Sequence, residues 1–132
     1  MIIKNIRVLK FNEPTKNGRI YRESSVNLND HVLQEQLKNN CLFGEISFPK
    51  DRTTDIDMTK VSHLVTALRK EEDGLYADIE ILHTASGKLL EKIVNPDNFR
   101  TRGTGTLVCD PEGNQIVKDY HLITIDYTNN PA

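Results

Sequence analysis

The chain has 132 residues, 37% hydrophobic and 27% charged, with a net charge of −2. This is the composition of one ordinary globular domain over residues 1–132, long enough to bury a core without disulfide or metal staples. The near-neutral balance and the lack of a basic run argue against a specific nucleic-acid binder, and no apolar stretch nears the ~18 residues of a membrane span.

The start, Met1-Ile2-Ile3-Lys4, has no signal-peptide pattern, so the chain is expected to act where it is made or in something assembled there. Cys41 and Cys109 fit no metal spacing and are expected to be reduced, as in cytosol.

Residues 2–11 are rich in β-branched side chains and predict a first strand. A turn follows at residues 12–18, where Pro14 sets one backbone angle and Asn17-Gly18 supplies others. Arg19-Ile20-Tyr21 reads as a short extended piece or the approach to a helix. Asn27 or Asn29 is the expected N-cap of a helix running to Lys38, with Leu28, Val32, Leu33 and Leu37 on its apolar face.

Residues 41–49 predict a short strand stopped by Pro49, followed by a polar loop to Thr59. Residues 61–70 and 75–82 form the clearest hairpin, turned at Glu71-Glu72-Asp73-Gly74. In its second arm Leu75, Ala77, Ile79 and Ile81 share one face. Thr84 or Ser86 should cap a second helix over residues 87–94, with Leu89, Leu90, Ile93 and Val94 on one side.

Next comes Phe99-Arg100-Thr101-Arg102-Gly103-Thr104-Gly105-Thr106-Leu107-Val108. Two glycines one residue apart let backbone N–H groups approach a ligand or an oxyanion closely. The same run also fits a twisted or bulged strand. A turn at residues 110–114 leads to a last strand over residues 115–128. Its inner face is either Leu122 and Thr124 or His121, Ile123 and Ile125. The order predicts an α+β fold: a small, mostly antiparallel β-barrel or curved sheet with two flanking helices.

In this order the motifs resemble those of the prohead (capsid maturation) serine proteases of tailed phages, which share the herpesvirus capsid-protease fold. Residues 15–21 are similar to that family's N-x-N-x-R-x-Y-P entry, with Arg22 where proline is usual. Gly44-Glu45-Ile46-Ser47-Phe48-Pro49 resembles its G-E-L-x-H-P motif, and residues 100–105 its S-S-R-G-x-G motif. Residues 119–132 resemble its closing strand, which normally ends in Pro-Ser and here reads Pro131-Ala132; no extension beyond the family core is expected.

The resemblance implies that Phe48 stands where the family has its general base and Arg100 where it has its serine nucleophile. A phenyl ring accepts no proton, and a guanidinium attacks no carbonyl. Arg102-Gly103, at the family's oxyanion hole, remains as a remnant. The implied protein is a pseudoprotease: an auxiliary or decorating capsid component with no cofactor and no metal. Its expected partner is the major capsid protein or a scaffold protein, contacted through Phe48, Arg100 and Thr101. The expected location is the virion capsid, assembled in the host cytoplasm, and a homo-oligomer is compatible with this reading.

The alternative is an active maturation protease with a relocated site. Thr101, matching the motif's second serine, would be the nucleophile, with His63 or His121 as base. His63 also fits a packed histidine alternating with Val61 and Val65, while His121, His83 and His31 fit ordinary surface positions. No histidine or cysteine spacing announces a zinc site, and the acidic residues Asp51, Asp55 and Asp57 lack a calcium-loop pattern. Arg100, Arg102 and Lys118 have no interleaved aromatics to make a nucleic-acid surface.

Overall fold

The computed structural model describes residues 1–47 and 54–128. It contains seven strands: β1 (Ile2–Lys10), β2 (Arg19–Tyr21), β3 (Phe43–Glu45), β4 (Val61–Glu71), β5 (Gly74–Ile81), β6 (Phe99–Cys109) and β7 (Gln115–Tyr127). Helix α1 (His31–Lys38) lies between β2 and β3, and α2 (Ala85–Ile93) between β5 and β6.

The strands form two sheets, ordered β1-β5-β4-β3 and β2-β7-β6. Only the β2–β7 pairing is parallel among the ladders. The α+β, mostly antiparallel architecture expected from the pattern is therefore present. Among the described residues the sheets do not close into a barrel. They are joined on one side, where Ile46 bridges to Tyr127 and the Ser47 N–H donates to the Tyr127 carbonyl at 2.7 Å.

Local sequence explains most of these elements. Along β5, Leu75, Ala77, Ile79 and Ile81 are buried and the residues between them are half-buried, as strict alternation requires. In α1 the cap is Asp30, not Asn27 or Asn29, its carboxylate accepting from the Leu33 N–H at 3.0 Å. Thr84 caps α2 by accepting from the Gly87 N–H, so that helix begins at Ala85, ahead of the expected Gly87.

The helical faces are narrower than their periodicity suggests. Leu33 is buried and Leu28 and Leu37 pack against the core, but Val32 is exposed. In α2, Leu90 is fully buried while Leu89 and Ile93 face outward. Each helix covers one flank of a sheet, so a single row of side chains reaches the core. The short piece Arg19–Tyr21 is a true strand, added in parallel to β7 at residues 115–117.

The two alternatives for the inner face of β7 are both partly realised. Leu122, Thr124, Ile125, Asp126 and Tyr127 are all buried, His121 is exposed and Ile123 is half-buried. The end of β7 is covered on both faces, with the main core on one and β3 on the other. Phe99 sits at the middle of that core, edge-on to His63 and to Tyr127 at 5.1 Å between ring centres.

Candidate functional site

Strand alternation places Phe99 and Thr101 on the core side of β6, and Arg100 and Arg102 on the side toward β3. In the β6–β7 ladder Arg100 lies opposite Asp126, and Arg102 opposite Thr124. Arg102 is completely buried, and a buried guanidinium needs acceptors in the right places. Its Nε donates to Asp126 Oδ2 at 2.8 Å, and its Nη2 donates to Asp126 Oδ1 at 2.9 Å and to Glu45 Oε2 at 2.8 Å. Its Nη1 also reaches the Asp55 carbonyl at 3.3 Å.

Both carboxylates are buried as well, and each accepts a backbone N–H. Glu45 N–H donates to Asp126 at 3.0 Å, and Asp57 N–H to Glu45 at 3.3 Å. Burial alone would lower the Arg102 pKa. The hydrogen bonds and charges of Asp126 and Glu45 outweigh it and hold the group above its ordinary value. Arg102 thus ties together β3, β6, β7 and the segment before β4. Thr124 adds to the same junction by donating to the Phe43 carbonyl at 2.6 Å.

Gly44 is required there by space. A Cβ at Gly44 would lie 2.1 Å from His63 Nε2 and 2.1 Å from the Ile125 carbonyl. At Gly103 it would lie 2.5 Å from the Tyr120 ring. The four residues Gly44, Glu45, Arg102 and Gly103 therefore hold the strands around this site together.

Arg100 has a different situation. It is half-buried, and its Nη1 donates to the Phe99 carbonyl at 2.8 Å and to the Asp97 carbonyl. Partial burial lowers its pKa, with Asp97 opposing the shift. The Phe48 position lies outside the described residues.

The residues of the alternative site have other partners. Thr101 Oγ1 accepts from the Tyr120 hydroxyl at 3.0 Å. His63 is fully buried, with its Nε2 2.7 Å from the Ile125 carbonyl and its Nδ1 2.7 Å from Ser62 Oγ. A carbonyl only accepts, so Nε2 carries the proton and Nδ1 accepts from the Ser62 hydroxyl. Burial pushes the His63 pKa down to about 4, against a smaller opposing effect of the Ile125 carbonyl. Ser62 and His63 have the separation of a catalytic pair, but both side chains are sealed in the core. His121 is exposed on β7 and faces Asp30 at 3.9 Å. Neither histidine is hydrogen-bonded to Thr101.

Sequence reasoning did not single out Asp126 and Glu45 as partners of Arg102. The available signal was one acidic residue within the apolar run Ile123-Thr124-Ile125-Asp126-Tyr127, because a charge in such a run needs a counter-charge. Among the described residues no group of three or more His, Cys, Asp or Glu side chains is placed to hold a metal ion. No helix among them is long and apolar enough to cross a membrane.

Two mostly antiparallel sheets joined through the β3–β7 junction, with two flanking helices, define a capsid-protease-like fold. The bacteriophage T4 capsid assembly protease, gp21, has this architecture: it superimposes with a TM-score of 0.74 over 98% of this chain and 92% of that chain. The two sequences are 18% identical, so the likeness is one of fold. No protein-family model matches the chain, and no curated protein sequence matches it.

Proposed function

We propose that this chain is a catalytically inactive protein on the prohead-protease fold, serving as an auxiliary or decorating component of a phage capsid bound to the major capsid protein. One observation carries the reading: the two motif-like stretches divide by role. Gly44, Glu45, Arg102 and Gly103 are committed to packing and to a buried ion cluster. Arg100, at the position where the resemblance puts a nucleophile, is a cation held by two backbone carbonyls. Such a site keeps its framework and lacks the group that would attack.

Fold alone fixes no function, so the structural role rests on this division together with the likeness to a capsid assembly protease. Arg100 and, by the resemblance, Phe48 would form part of a contact surface for an extended segment of a capsid or scaffold chain. The partners of Thr101, His63 and His121 weigh against a relocated protease site.

Quantitative mass spectrometry of finished particles of the virus encoding the chain tests the proposal. A fixed, high copy number relative to the major capsid protein supports a shell component. Absence from finished particles overturns it.

A further inference from the structure

The distal half of β6 is an open sheet edge. In the sheet β2-β7-β6, β7 has a neighbour on each side, and β6 has no strand on its outer side among the described residues. Thr104, Gly105, Thr106, Leu107 and Cys109 are exposed, Leu107 by 42%. Exposed edges are usually blunted by charge, proline or a bulge. The run Gly103-Thr104-Gly105-Thr106-Leu107-Val108 has no charge and no proline.

Both irregularities in the β6–β7 ladder place the extra residue on β7. The pair Arg102–Thr124 is followed by Gly103–Leu122, and Thr104–His121 by Thr106–Lys118. β6 therefore stays regular. The Asp110 N–H turns inward to the Asn114 carbonyl at 2.9 Å, and the Asp110 carbonyl accepts from Gly113 at 3.0 Å. Alternation along the strand then directs the N–H and C=O of Gly105, Leu107 and Cys109 outward.

We propose that a second copy of this chain pairs antiparallel with this edge, about a two-fold axis at Thr106. Thr106 then faces its own copy, and Leu107 lies across from Gly105, which has no side chain to cover that spot. Charge selects the direction. The turn after β6 carries Asp110 and Glu112, and the start of β6 carries Arg100. Antiparallel pairing brings the acidic turn of one copy toward the basic start of the other. Parallel pairing would set the two acidic turns together. The two-fold arrangement is closed, so it makes a dimer and not a fibre.

The test is sedimentation equilibrium of the full chain over a concentration series. The wild type is expected to show a monomer–dimer equilibrium. Leu107→Lys, which puts a charge on the edge, and Leu107→Pro, which removes an outward N–H, are expected to give monomers with unchanged circular dichroism. Thr106→Cys, with Cys41→Ser and Cys109→Ser, should cross-link to its copy on mild oxidation, because opposed non-hydrogen-bonded residues lie about 4.5 Å apart at Cα. Val32→Cys on α1, in the same background, should not. A wild-type chain that stays monomeric, or a dimer that survives Leu107→Lys, overturns the proposal.

Discussion

Arg102 and Asp126 lie diagonally across the β6–β7 ladder and are joined by two charge-assisted hydrogen bonds, with no exposed surface on either side chain. Two such bonds in parallel fix the guanidinium plane, and Glu45 then anchors β3 to the same group. Removing one member of a buried ion cluster leaves an uncompensated charge. Arg102→Met is therefore expected to cost about 3–5 kcal/mol, read as a lowered urea midpoint. Arg102→Lys should recover only part of this, because an ammonium cannot make the paired contact. A loss under about 1 kcal/mol for Arg102→Met would show that the cluster does not hold the junction.

His63 gives the fold a pH dependence of definite sign. Its folded-state pKa lies near 4, below the ordinary 6.5, because burial disfavours the charged ring. Between those values the unfolded chain binds the proton and the folded chain does not, so stability falls as pH is lowered through this window. The full effect is about 3 kcal/mol for a displacement of this size. The carboxylates of Asp78 and Asp110, held below their ordinary value of 3.8 by hydrogen bonds, lose their contribution only at lower pH. Urea unfolding at a series of pH values should show the His63 window, and His63→Gln should flatten it while lowering stability at neutral pH.

Crowding at Gly44 makes a sharper prediction. An added methyl meets a buried ring nitrogen and a backbone carbonyl, neither of which is the free end of a flexible chain. Gly44→Ala is expected to reach at least the upper end of the about 1–3 kcal/mol that overpacking costs. Gly18, with φ of +80° and open space around it, should lose only about 1 kcal/mol on the same change. Thermal melts of the two variants compare the mechanisms directly.

Tyr120 and Thr101 form a further test pair. Their hydrogen bond should appear as a coupling of about 1 kcal/mol in a cycle of Tyr120→Phe, Thr101→Ala and the double variant. A coupling near zero would mean that Thr101 does not use the tyrosine as its partner.

Much of this fold is legible from the sequence because its signals are local. The alternation of Leu75, Ala77, Ile79 and Ile81 reports a half-covered strand, and Thr84 marks the start of α2 by hydrogen-bonding three residues ahead. Other features depend on distant chain. Val32, Leu89 and Ile93 fit a helical apolar stripe but are exposed among the described residues, which periodicity cannot reveal. The β2–β7 pairing joins Arg19–Tyr21 to residues 115–117, far along the chain. The same holds for the candidate site. Motif order points to Arg100 and Arg102, but only the register of β6 on β7 sets Asp126 diagonal to Arg102, and only the packing of β3 brings Glu45 to it.

The proposed inactivity of this protease-like framework is tested most directly by intact-mass spectrometry of capsid and scaffold precursors incubated with the purified full chain. The expected result is unchanged precursor masses after prolonged incubation, the same as with buffer alone. Fragments cut at reproducible sites and abolished by Thr101→Ala would contradict it, and would make Thr101 the nucleophile of a working protease.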